Sequence, residues 1–138
     1  MQYIKLFLIT LPTLIVIDYV WVGKLMFKFY DNGIGVLARR IGTEFKPMVG
    51  GVFFVYIFLA LGLTLFVYPK VLGMSNFKVF IWAALFGLIT YAIYDLTNYS
   101  TLSGWTLKLS VADMLWGAFL CGITSVIVLA LAKWLHFL

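Results

Sequence analysis

Four apolar stretches divide this chain, at residues 4–22, 48–68, 79–98 and 111–134. At about 1.5 Å of rise per residue, each is long enough to cross the hydrocarbon of a bilayer as a helix. A water-soluble fold of 138 residues, 64% of them apolar and 11% charged, has nowhere to hide that much apolar surface. Lipid is therefore part of the solvent. Inside it the backbone must satisfy its own hydrogen bonds, so the spans are expected to be helices. At about 20 residues per crossing, four spans leave little chain for anything else. The expected fold is an all-α membrane protein, a four-transmembrane-helix bundle forming a single domain over residues 1–138.

The first apolar run follows Lys5 as a secretory signal would, but Asp18, Tyr19 and Trp21 stand where small cleavage-site residues belong. It reads as a retained helix, bent at Pro12. Residues 23–47 are too polar to span, with Lys24, Lys28, Arg39, Arg40, Glu44 and Lys46 among them and a turn signal at Asp31, Asn32 and Gly33. Ile34, Leu37, Ile41 and Phe45 recur there at helical spacing opposite the arginines, which predicts an interfacial amphipathic helix between helices one and two.

The helix order places the ends of spans one and three and the start of span four on one face of the membrane. Asp18, Asp95 and Asp113 then all lie on that face, each about one turn, roughly 6 Å, inside its expected boundary. Basic residues are slightly more numerous there (Lys24, Lys28, Arg39, Arg40, Lys46, Lys108) than on the other face (Lys5, Lys70, Lys78, Lys133), a bias toward a cytoplasmic location. The net charge of +5 accordingly points to topology and anionic headgroups and not to nucleic acid.

A carboxylate in hydrocarbon costs several kcal/mol unless it faces the bundle interior and finds a partner or a proton. Three at one level cannot all stay ionised, and they mark the candidate site. Trp21 follows Asp18 by three residues and Trp116 follows Asp113 by the same spacing, so each indole can cap the carboxylate one turn away. An aromatic belt is the plainer role for both tryptophans. Tyr91, Asp95 and Asn98 share one stripe of helix three and offer a hydroxyl, a carboxylate and an amide. That set suits a protonated amine, a hard cation or a lipid headgroup, and a structural helix-end bond is the alternative for Asp95. Tyr94 and Trp105 complete the candidate ligand-binding residues, with the hydroxyls of Thr97, Ser100, Thr101 and Ser103 as a rim or as backbone caps. Tyr30 with Arg39 and Arg40 can cover the pocket or bind phosphate, and anchoring to anionic lipid is the plainer role.

Gly117 with Cys121, and Ala118 with Gly122, are small residues four apart that permit a close helix crossing. The single cysteine excludes an internal disulfide and a thiolate cage, and the single histidine excludes multi-histidine iron or bis-histidine haem. His136, beside Trp134 and Phe137, reads as an interfacial anchor. No metal site and no cofactor is expected.

The early Asp-x-x-Trp, the string YDLTNYSTLSGW at 94–105 and the Asp-x-x-Trp-Gly at 113–117 together resemble an uncharacterised family of small bacterial integral membrane proteins, domain of unknown function family 2177. The resemblance covers nearly the whole chain. It implies a multi-pass protein of the bacterial inner membrane. Its members often occur beside genes that modify membrane fatty acids, which implies lipid handling.

Three functions stay open. The first is an aspartate-lined pocket that binds or processes a lipid-like molecule in membrane lipid metabolism, with an aspartate available as general acid or base. The second is a small proton-coupled cation or drug transporter working as a homodimer. The third is a structural or assembly partner of a membrane complex. The expected partners are membrane lipid and a lipid-like small molecule, with no nucleic acid.

Overall fold

The computed structural model describes residues 1–136. Six α-helices follow in chain order: α1 (Gln2–Val20), α2 (Phe27–Ile34), α3 (Val49–Gly62), α4 (Tyr68–Val71), α5 (Asn76–Thr101) and α6 (Leu107–Trp134). A π-helical turn at Trp21–Leu25 lengthens α1, and another at Leu63–Val67 joins α3 to α4. Four continuous helical rods result, each long and apolar enough to cross a membrane. Large apolar side chains such as Leu8, Phe58, Phe66, Ile93 and Leu115 stand exposed around the bundle, an arrangement only lipid would solvate. Pro12 lies inside α1 without ending it.

The last two spans run beyond the apolar stretches that announce them. Thr97, Ser100 and Thr101 each turn a hydroxyl back to the carbonyl four residues earlier, at 2.6–2.8 Å, so these polar residues remain within α5. Thr106 then caps α6, its hydroxyl accepting from the Leu109 amide at 3.2 Å. Only residues 102–106 separate the two helices. Asp95 and Asp113 each end up six residues inside their helix, about 9 Å at the usual rise.

Between the first two rods the structure departs from the expected amphipathic helix. Only Phe27–Ile34 is α-helical, and Gly35 ends that helix with φ of +55°. Arg40–Ile41 and Glu44–Phe45 pair as a minimal antiparallel hairpin, with Gly42 supplying the positive φ of +60° that its two-residue loop needs. Ile41 and Phe45 are thus strand residues, and their helical spacing is coincidental. Arg40 ties the hairpin back to α2 by an ion pair with Asp31 at 2.6 Å and a bond to the Gly35 carbonyl at 3.3 Å. Arg39 is exposed.

α5 packs most extensively against α6, and α1 packs against α6 and α3. The α5/α6 crossing is tight because both helices carry glycine at it. A Cβ on Gly87 would collide with the Gly117 carbonyl and with Cys121, and one on Gly117 would overlap the Tyr91 ring. On the side of the bundle away from Asp18, Thr10 and Tyr68 share a buried hydroxyl bond of 2.9 Å that links α1 to α4. The N-terminal half of α3 is different: Val49, Val52, Phe53, Phe54 and Val55 are all exposed, and α5 is reached chiefly by the π turn and α4. α3 and α5 therefore leave a gap between them at the Asp18 level. At the far end of α6, His136 is exposed with a positive φ, whereas Phe137 lies outside the described residues.

Candidate functional site

The gap between α3 and α5 opens a cavity of about 560 Å³, within the size range of small-molecule sites. Val52, Val55, Tyr56 and Phe58 of α3 form one wall, and Phe86, Thr90, Tyr91 and Tyr94 of α5 the other. Tyr30 and Ile34 of α2, with Trp105 and Leu109, close the end toward the hairpin. Asp18 and Asp113 provide the carboxylates of a lining that is mostly apolar, with the hydroxyls of the tyrosines and Thr90 among it.

Asp18, on α1, is held by two neighbouring helices at once. Its Oδ2 accepts the Tyr56 hydroxyl from α3 at 2.5 Å, and its Oδ1 accepts the Trp116 indole N–H from α6 at 2.6 Å. Trp116 thus serves the carboxylate on the neighbouring helix and not Asp113, one turn away on its own. Trp21, placed by the π turn, lies flat against Trp116 with ring centroids 4.4 Å apart and planes 9° apart. The two Asp-x-x-Trp repeats therefore interlock across α1 and α6. Trp21 Nε1 itself is buried without a hydrogen-bond partner among the described residues.

Asp113 accepts the Tyr30 hydroxyl at 2.8 Å. Tyr30 sits on α2, outside the spans, and burial together with the neighbouring Asp113 carboxylate holds its phenol well above the ordinary tyrosine range. Trp105 folds back beneath this end. Its indole donates to Ser110 Oγ at 3.1 Å, and its ring meets Tyr94 edge-on at 5.7 Å.

Asp95 belongs to a different environment. It is 0% exposed between α5 and α6, and neither carboxylate oxygen has a hydrogen-bond partner among the described residues. Asp113 is near enough to interact with it electrostatically, but Asp95 does not line the cavity. Its own carbonyl accepts from Ser110 Oγ at 3.4 Å. Among the described residues, no three His, Cys, Asp or Glu side chains converge as a metal-ligand set would; Asp95 and Asp113 neighbour each other, while Asp18 is bonded separately to Tyr56 and Trp116.

Of the residues singled out from sequence, Asp18, Tyr91, Tyr94, Trp105 and Asp113 line the cavity. Trp21 and Trp116 stand behind it, buttressing Asp18 and lining an apolar groove on the outer face of α1 and α6. Asn98 is half-buried and does not line it. Sequence reasoning missed Tyr56, the second donor to Asp18, because α3 carries no charge or polar pattern to draw attention to it. It also missed Phe86 and Thr90, whose only signal is the spacing of four that puts the two on one helix face, just before Tyr91.

Comparison with curated proteins and with solved structures returns no significant match. The family model described as "Predicted membrane protein (DUF2177)" matches residues 3–130. That match covers all four helical rods almost to the end of α6, and the chain belongs to this family of multi-pass membrane proteins of unknown function.

Proposed function

We propose that the chain binds a lipid-like molecule, its apolar part lying in the gap between α3 and α5 and its polar end reaching Asp18 and Asp113. The observation that carries the reading is the form of the cavity: it is mostly apolar along its two helical walls, open between helices whose outer faces are exposed and apolar, and carries its carboxylates at Asp18 and Asp113. A molecule with an acyl or alkyl chain matches that sequence of surfaces, and a compact ion does not. On this reading the binding serves membrane lipid metabolism in a bacterial inner membrane, which rests on what the family resemblance implies.

A structural role has one observation in its favour, the Tyr56–Asp18–Trp116 network, which ties α1, α3 and α6 together. The two roles divide between the residues: Asp18 fastens the helices, while Asp113, which accepts from Tyr30 and neighbours Asp95, is the carboxylate proposed to meet a guest.

Native mass spectrometry of the protein purified from its membrane, beside Val55→Trp, tests the reading. Val55 is exposed on α3 and lines the gap, so the larger side chain obstructs the cavity without disturbing the packed core. An adduct of lipid mass on the unaltered protein that is lost from the folded variant supports the proposal. Equal adducts on both, or none on either, overturn it.

A further inference from the structure

The donors and acceptors around the cavity are unevenly spent. Tyr56 gives its only O–H to Asp18 and Tyr30 gives its only O–H to Asp113. Thr90 turns its hydroxyl hydrogen to the backbone carbonyls of Phe86 and Gly87, and the Trp105 N–H is taken by Ser110. What the hydroxyls leave toward the cavity is lone pairs, and the Trp105 indole leaves no donor. The remaining O–H donors, on Tyr91 and Tyr94, are neutral. No lysine, arginine or histidine is among the described residues that line the space, although the chain as a whole carries twice as many basic residues as acidic ones. The positive charge at this end of the bundle has been kept off the cavity lining.

An anionic head, phosphate or carboxylate, would enter beside two carboxylates with no cation to offset it and few hydrogens to accept. A protonated primary amine reverses every one of those terms: it brings three N–H donors and a positive charge to a surface of acceptors. Resting on the lipid-binding reading above, we infer that the cavity selects an amphiphile whose head is a primary ammonium group, with Asp113 as its counter-ion. The shared chemistry, an alkylammonium, belongs equally to an amine-headed lipid and to a free aliphatic amine, and chain length separates those sources.

The test measures binding to the full chain in phosphatidylcholine nanodiscs at pH 7, using dodecylamine, dodecanol, dodecanoate and butylamine as probes and Trp fluorescence as the signal, since Trp105 lines the cavity. Dodecylamine is expected to bind about tenfold or more tighter than dodecanoate, a ratio that falls to about threefold or less in Asp113→Asn. If dodecanoate binds as tightly as dodecylamine, the head selectivity is refuted while the lipid-binding reading stands. If butylamine matches dodecylamine, a free amine is the guest and the lipid source is refuted. If no probe binds, both proposals fall together. Should Asp113→Asn not fold, Val55→Trp replaces it as the control: dodecylamine binding that survives obstruction of the gap lies elsewhere and overturns the assignment.

Discussion

Trp116 on α6 donates its indole N–H to Asp18 on α1 while a second indole, that of Trp21, lies parallel against its face. A half-buried carboxylate, a donor and a stacked ring thus form one unit, in which each part restrains the next. Trp116→Phe keeps an aromatic ring for Trp21 but removes the donor. The variant is expected to lose roughly 1–2 kcal/mol of stability, read as a lower thermal midpoint in detergent. Combining it with Tyr56→Phe should cost a different amount from the sum of the two, because both bonds end on the same carboxylate. Strict additivity in that double-mutant cycle would mean that Asp18 is not shared.

Asp95 behaves in the opposite sense. Its side chain meets the Asp113 carboxylate and has no cation beside it among the described residues, and an amide keeps a donor for that neighbour, so Asp95→Asn is expected to fold with a change in stability within about 1 kcal/mol. Asp95→Leu removes a buried polar group and should be neutral or stabilising. A drop of roughly 3 kcal/mol or more in either variant, measured by unfolding in mixed micelles, would show that the carboxylate is paired.

Gly117→Ala places a methyl group where the Tyr91 ring lies. Overpacking of this kind costs about 1–3 kcal/mol, and the ring has the adjoining cavity to move into. Reduced retention of co-purified lipid together with a lowered midpoint is the expected pair of results. Unchanged retention would place Tyr91 outside the occupied volume.

Tyr30 gives a pH signature. Its phenol titrates higher in the folded protein than the ordinary value near 10, so the folded state holds a proton that the unfolded state gives up first. The stabilisation is complete below about pH 10 and shrinks as pH rises above it. Comparing the protein with Tyr30→Phe at pH 8 and pH 11 isolates this residue from the other tyrosines. The stability difference between them should narrow at the higher pH, and a constant difference would remove the coupling to Asp113.

The spans were legible because a bilayer imposes a length and a composition that no soluble fold tolerates. Their ends were not, since Thr97, Ser100 and Thr101 look like loop residues until their hydroxyls are seen bonding backward along α5. Asp18 and Asp113 stood out in sequence because charge in hydrocarbon demands an explanation. Their partners did not, because which helix neighbours which is absent from a one-dimensional pattern. The Asp-x-x-Trp spacing suggested bonds within a helix, and only the packing of α1 on α6 reveals that Trp116 crosses to Asp18. At 38–47 periodicity misled, because a hairpin this short is defined by Gly42 and its turn and not by an apolar repeat.

The exposed apolar flank of α3 beside the gap has a kinetic consequence. A guest arriving there never crosses bulk water, so its supply is set by its mole fraction in the bilayer and by lateral diffusion in two dimensions. Occupancy would then follow membrane composition and stay nearly indifferent to dilution of the surrounding aqueous phase, as the cell's own lipid inventory varies.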